Sequence, residues 1–309
     1  MTHDFELHLY RNQNFITETQ CLSLSIQREA YTPYEEINAV FIASHADYTG
    51  VTRIGLYHNQ TRIFLGLVDT LTQYTKNHSN LIRIKSKSFT SLLTQNELPA
   101  GLHSNLTMEQ LMTDYYTFPY ITYDTLPDTG YIFVKSGNTM WDGIVSFCYK
   151  MTGHYPFVIH NHIYLSNPPS QALFTPDPAH ILEYGHITDH TKLISHYHME
   201  DISGQSDSYH QENAYATASE IVRHKQIPFD RSFLYDPNDA LTFRNLYSRR
   251  GCQADYVIYQ GFDNLHTGRK LTVNGLTENQ TISRVKFTFG SRGGITQLWC
   301  YHDGFYNNS

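Results

Sequence analysis

Residues 51–93 constrain the fold more than any other stretch, because they spell three strands and two turns with almost nothing else. Thr52-Arg-Ile-Gly-Leu-Tyr-His58 runs into a polar Asn59-Gln60 turn, residues 61–70 return, and Leu81-Ile-Arg-Ile-Lys-Ser-Lys-Ser-Phe89 follows after a polar break. A meander at this spacing has to build an antiparallel sheet, since short loops leave no room for a crossover helix. A second pair of strand-like segments, 282–289 and 295–301, ends the chain around Gly290-Ser-Arg-Gly-Gly294, whose glycines permit the positive φ of a hairpin loop. β modules therefore occupy both ends.

At 309 residues the chain has room for two or three domains. Residues 5–10 and 21–26 alternate apolar with polar, the second run placing Leu22, Leu24 and Ile26 on one face. Residues 39–43 are a short apolar run that fits a buried strand. With the meander this gives about six strands in residues 1–95, enough for a small barrel or sandwich. The texture changes at 96–180. Residues 105–112 read as a short helix with Thr107 and Gln110 as a capping box. A longer helix starts at Thr139, carries Trp141, Ile144, Val145, Cys148 and Met151 on one apolar stripe, and stops at Gly153. Strands at 131–135, 156–160 and 163–165 surround it, making a small α/β unit with Asn167-Pro-Pro-Ser170 as its closing punctuation. In 181–309 strands return at 193–199, 214–222, 254–260 and 269–273, besides the final pair. One inserted helix near 239–250 starts at Asp236-Pro-Asn-Asp239 and ends at Gly251. The expected class is mixed, mainly β.

A net charge of −7 argues against a general nucleic-acid binder. Cys21, Cys148, Cys252 and Cys300 form no CxxC pair, so neither a zinc knuckle nor a disulfide framework is indicated. The first residues lack the basic start and apolar run of a signal peptide, and no stretch approaches the about eighteen apolar residues of a membrane span, so cytoplasmic synthesis without a membrane anchor is expected. The chain lacks GxSxG, HExxH, GxxxxGK[ST] and GxGxxG, and no catalytic residue or cofactor is assigned. Two His-x-His pairs, His160 with His162 and His196 with His198, would share a strand face. No aspartate or cysteine completes a ligand set, and no metal is expected. Glu35-Glu36 and Glu200-Asp201 read as solvated turn charges. Tyrosine accounts for 24 residues and suits wet interfaces, burying a ring while its hydroxyl keeps a polar partner. Arg83, Lys85 and Lys87 share one face of a strand, either as an exposed face with a charge-protected edge or as a strip facing another subunit or a lumen.

Several segments in order resemble the baseplate hub proteins of contractile-tailed phages, the Mu-type hub family, which also occurs in phage-derived injection systems. Ile63-Phe-Leu-Gly-Leu-Val-Asp69 is similar to that family's return strand, and residues 81–93 to the strand and linker that leave its first barrel. Ser136-Gly-Asn-Thr-Met-Trp-Asp142 resembles its middle domain; Arg249-Arg-Gly-Cys-Gln-Ala-Asp-Tyr-Val-Ile258 and Ile282-Ser-Arg-Val-Lys-Phe287 resemble its second barrel. The resemblance implies two tube-protein-like β-barrels, 1–95 and 181–309, separated by the 96–180 unit. It implies a homotrimer whose pseudo-hexameric ring joins the tail tube protein to the central spike protein beside other baseplate proteins, in the virion tail, with DNA only in transit through the channel. Arg83, Lys85, Lys87, Ile63, Leu65 and Leu67 are then the candidate subunit interface. Residues 131–141 also resemble the start of LysM carbohydrate-binding modules, although strands follow Gly153 where that module has a second helix. A tail-associated cell-wall hydrolase is the third reading, motivated by the supply of histidines and carboxylates.

Overall fold

The N-terminal alternation folds into seven strands. In the computed structural model, whose described residues are 4–12, 14–166, 172–302 and 305, these are β1 (Phe5–Arg11), β2 (Asn14–Glu18), β3 (Cys21–Glu29), β4 (Glu36–Ile42), β5 (Arg53–His58), β6 (Thr61–Lys76) and β7 (Ser79–Ser88). Asn59 and Gln60 join β5 to β6 with φ of 48° and 64°, the left-handed pair that matches the twist of a two-residue hairpin. Asn77 and His78 repeat the device with φ of 51° and 62°, so β6 runs on beyond the expected end at residue 70. Leu22 does not join Leu24 and Ile26 in the core. A bulge between Cys21 and Ser23 leaves it unpaired and 45% exposed.

Gly66 explains the glycine inside the apolar return strand. A Cβ at this position would collide with the carbonyl oxygen of Lys87 on β7 and with the Phe64 ring. Backbone cannot yield as a flexible side chain does, so the closeness of β6 and β7 depends on glycine here.

The middle unit follows with β8 (Gly101–Leu106), α1 (Met108–Thr113), β9 (Thr122–Tyr123), β10 (Gly130–Val134), α2 (Met140–Thr152), β11 (Phe157–Ile159) and β12 (His162–Tyr164). Helix α1 starts on the expected capping box of Thr107 with Gln110. Helix α2 starts at the expected Thr139, which forms an unexpected box with Asp142, and Gly153 ends α2 at φ 73°. Residues 105 and 106 belong to the preceding strand and turn toward the helix. The Asn167-Pro-Pro-Ser170 punctuation lies outside the described residues.

The last part contains β13 (Ile181–Thr188), β14 (His196–Met199), β15 (Tyr209–Glu212), α3 (Ala214–Ala218), β16 (His224–Ile227), α4 (Pro237–Arg249), β17 (Gln253–Gln260), β18 (Lys270–Val273), β19 (Thr277–Thr281), β20 (Arg284–Gly290) and β21 (Gly293–Tyr301). The strand expected over 214–222 is instead the short helix α3. Ala214, Ala216 and Ala218 imitate strand alternation, but alanine favours helix and the Asn213 side chain caps the turn by accepting from the Ala216 amide.

Strand β20 pairs antiparallel with β3, placing Phe287 opposite Ile26 and Val285 opposite Arg28. Terminal modules more than two hundred residues apart thereby share one open sheet, in the order β13-β17-β21-β20-β3-β4-β7-β6-β5-β1-β2. Phe5, Leu7, Ile26, Ile37, Phe41, Ile84 and Phe287 fill its N-terminal core, and Val257, Leu271, Val285 and Leu298 a C-terminal one. Helices α2 and α4 belong to a third core that also receives Leu65 and Leu67 from β6.

Asp230 ties this third core together. Its carboxylate accepts from Lys135 at 3.0 Å, just beyond β10, and from Arg244 of α4 at 2.5 Å. Burial alone would raise its pKa; the Arg244 guanidinium and then the Lys135 ammonium outweigh that and hold it at about 2. A carboxyl depressed in the folded state contributes stability in full above its unfolded value of 3.8 and loses it as pH falls toward 2. Asp230→Asn is therefore expected to cost about 2 kcal/mol at pH 7 and to flatten the acid limb of stability below pH 4, measured by urea melts across pH. Gly66→Ala is expected to lose roughly 1–3 kcal/mol in the same assay, through a lower midpoint at unchanged slope.

Candidate functional site

The basic strip has the alternation read from the sequence. Leu81, Ile82, Ile84, Ser86 and Ser88 are buried, Arg83 and Lys85 are exposed and Lys87 is half-buried. Strand β7 is not an edge, however, because β4 and β6 flank it, so its charges do not protect an open strand. Lys87 stands directly opposite Glu36 on β4, 3.8 Å from Asp69, and over the Tyr34 ring. The Arg83 guanidinium covers the Tyr74 ring. Ile63 is 1% exposed and spent inside the N-terminal core, which takes it out of any surface strip. Leu65 and Leu67 are half-buried against the middle unit's core. What the strip leaves to solvent is Arg83, Lys85 and the arm made by the distal ends of β6 and β7, residues 69–80, of which most are exposed.

Trp141, Ile144, Val145 and Cys148 are buried in the third core, with Met151 half-buried against it. The Trp141 ring meets Tyr155 edge-on at 6.2 Å. A tryptophan 6% exposed has no face to stack on a sugar. Next to it lies a cavity of about 580 Å³ lined by Tyr155, Tyr197, Phe243, Lys135, Asp230 and Arg244.

The charged centre of the molecule is elsewhere. Arg28 lies on the core face of β3 and is 3% exposed. Its guanidinium donates to the carbonyl oxygens of Leu265 and of Ile63 (3.0 Å), and to Asn264 Oδ1 at 3.1 Å, while its Nε faces Glu35 Oε2 at 3.3 Å. Glu35, read above as a solvated turn charge, is 4% exposed. Only its neighbour Glu36 is a surface charge. Burial disfavours the Glu35 carboxylate, but the Arg28 charge, with help from His266, holds its pKa well below the usual range. The other oxygen, Oε1, makes no hydrogen bond and stands 3.5 Å from His266 Nδ1. Burial first, then Arg28, pushes the His266 imidazole down to about 4, and burial lowers His160 too, so both rings are neutral at neutral pH. Rings of His160 and His266 meet at 4.0 Å between centroids. Donor atoms of Glu35, His160 and His266 all lie within 4.8 Å of one another.

His160 and His162 do not share a strand face as expected. His160 and Asn161, with φ of 50° and 65°, are the two-residue turn between β11 and β12, and His162 starts the next strand with its Nε2 on Asp124 at 3.0 Å. His196 and His198 do share a face of β14. There they stack with His210 of β15 and His224 of β16, and His198 Nε2 lies 2.9 Å from His224 Nδ1. Of the residues that meet at the joint, Arg28 carried one signal in the sequence, a charge at the position where the Leu24 and Ile26 alternation calls for an apolar residue. His266 carried none.

No protein-family model matches the chain, and no curated protein matches it in sequence. Solved structures do. A tail protein from Neisseria meningitidis MC58 superposes with a TM-score of 0.75 over 99% of this chain and 98% of that one, at 11% identity. The 43 kDa tail protein of prophage MuSo2 from Shewanella oneidensis gives 0.68 over 96% and 98%, also at 11% identity. An Escherichia coli type VI secretion component, itself described as structurally similar to the T4 bacteriophage tail proteins gp27 and gp5, gives 0.55 over 94% and 74% at 9% identity. This chain therefore shares its fold with these tail proteins.

Proposed function

We propose that the chain is a structural hub in the baseplate of a phage or phage-like contractile tail, acting by assembly and not by chemistry. The observation that carries this reading is whole-length agreement with tail proteins, 99% of one chain on 98% of the other, in the absence of meaningful sequence identity.

The shape of the sheet supports a ring. It is open, and its two edge strands both carry exposed apolar side chains: Leu182 and Tyr184 on β13, 58% and 51% exposed, and Phe15 on β2, 54% exposed. Exposed apolar edges recruit another strand unless something covers them. Joining the β13 edge of one copy to the β2 edge of the next is a heterologous contact, and such contacts close into rings when the rotation allows. Three copies would offer six β modules, 1–95 and 181–309 from each. That ring meets a sixfold tail tube on one side and a threefold spike on the other. Residues 96–180 would then sit outside the ring, and the exposed Arg83, Lys85 and the 69–80 arm would face a neighbouring subunit or another baseplate protein. A net charge of −7 suits a channel through which DNA passes without sticking. No helix of the described residues is long and apolar enough to cross a membrane.

Native mass spectrometry with light scattering tests the reading, and a trimer is expected. Leu182→Asp with Tyr184→Asp should weaken assembly by at least about tenfold, the effect of roughly 1.4 kcal/mol per contact, while circular dichroism stays unchanged. A folded chain that remains monomeric at every concentration and binds neither tube nor spike protein sinks the proposal.

A further inference from the structure

We propose that Glu35, His160 and His266 form a binding site for a divalent transition-metal ion that ligates through imidazole, of which zinc is the type, at the joint between the N-terminal module, the middle unit and the C-terminal module. Each ligand comes from a different part of the chain. Glu35 precedes β4, His160 sits in the β11–β12 turn, and His266 lies between β17 and β18.

Four features fit an ion. The first is donor spacing: zinc bonds of about 2.0–2.1 Å in a tetrahedron put neighbouring donor atoms roughly 3.3 Å apart. Glu35 Oε1 and His266 Nδ1 are 3.5 Å apart, and the third donor, on the exposed His160, lies within 4.8 Å of the others. The second is an under-satisfied partner: Oε1 belongs to a carboxylate 4% exposed, and the nearest group to it, His266 Nδ1 at 3.5 Å, is too long for a well-formed hydrogen bond. The third is orientation. Arg28 takes Oε2 of the same carboxylate and is itself fixed by two backbone carbonyls, as an outer partner does when it aims a ligand. The fourth is access, since Glu35 and His160 line a cavity of about 320 Å³, together with Arg62, Ser88 and Tyr120, which leaves room for a water as fourth ligand.

The charge balance selects the ion. One carboxylate already shared with Arg28, with Arg62 at the cavity, offers little to calcium or magnesium, which want several anionic oxygens. Two imidazoles and one carboxylate suit zinc, cobalt(II) or nickel(II). A bound ion would add a cross-link among three modules, two of which already share the β3–β20 strand pairing.

The experiment strips the full chain with a chelator, adds zinc, and measures bound metal after gel filtration, with cobalt(II) visible absorption as the probe of coordination. The stacked histidines of β14, β15 and β16 are a competing binder, so the background variant is His198→Asn with His224→Asn. One zinc per chain is expected to remain in that background, with a raised thermal midpoint and a tetrahedral cobalt spectrum. His160→Asn keeps the left-handed turn that asparagine tolerates, and should weaken zinc affinity by at least about tenfold without changing the fold. His266→Gln should abolish the cobalt spectrum. Metal that is lost from the His198/His224 background, metal that His160→Asn does not affect, or no zinc above the buffer level would each overturn the site.

Discussion

A single buried guanidinium sets the terms for the rest of this structure. On β3 the alternation that buries Leu24 and Ile26 carries Arg28 onto the same face, opposite Val285 of β20. A charge placed there without partners would cost several kcal/mol, so the surrounding chain must supply acceptors. It does so from both ends. Ile63 of β6 and Glu35 come from the N-terminal module, while Asn264 and Leu265 come from the loop after β17. Sliding one module along the other would separate Arg28 from these acceptors. Buried ion pairs seldom add much net stability compared with apolar packing, and the effect of Arg28 is better described as specifying register between modules than as strengthening them.

What the sequence made legible was whatever its neighbours within a few residues decide. The Asn59-Gln60 turn, the Thr107–Gln110 box, the Thr139 cap, the Gly153 stop and the alternation of β7 all depend on contacts no farther than a hairpin or a helical turn. Where two local signals competed, the wrong one was read: residues 214–218 alternate like a strand, and only the Asn213 cap decides for helix. Histidines 160 and 162 failed for a related reason, because two left-handed residues in a row are a turn and cancel the period of two that a strand would impose.

The joint was illegible because it is made entirely of distant pairs. Arg28 and Leu265 are 237 positions apart, and β3 meets β20 across a similar gap. Nothing within reach of Glu35 in sequence marks it as buried, since its surroundings, Thr32-Pro-Tyr-Glu-Glu36, are those of a polar turn. Solvent exposure separates Glu35 from Glu36 only after Arg28 and the loop that carries His266 have closed over one of them.

The same geometry bears on how such a part could carry load. A chain with two β modules could have joined them by a linker, letting each move on its own. Here they are consecutive strands of one eleven-stranded sheet, and bending between them would break the β3–β20 hydrogen bonds and pull Arg28 from its acceptors. The middle unit is fixed to this seam by Asn161, whose amide donates to the Leu65 carbonyl while its oxygen accepts from the Thr90 amide. His160 is the adjacent residue. The turn that carries His160 therefore packs directly against the buried charges between the two modules. That contact follows from placing an uncompromising polar group, Arg28, where three parts of the chain have to agree on one arrangement.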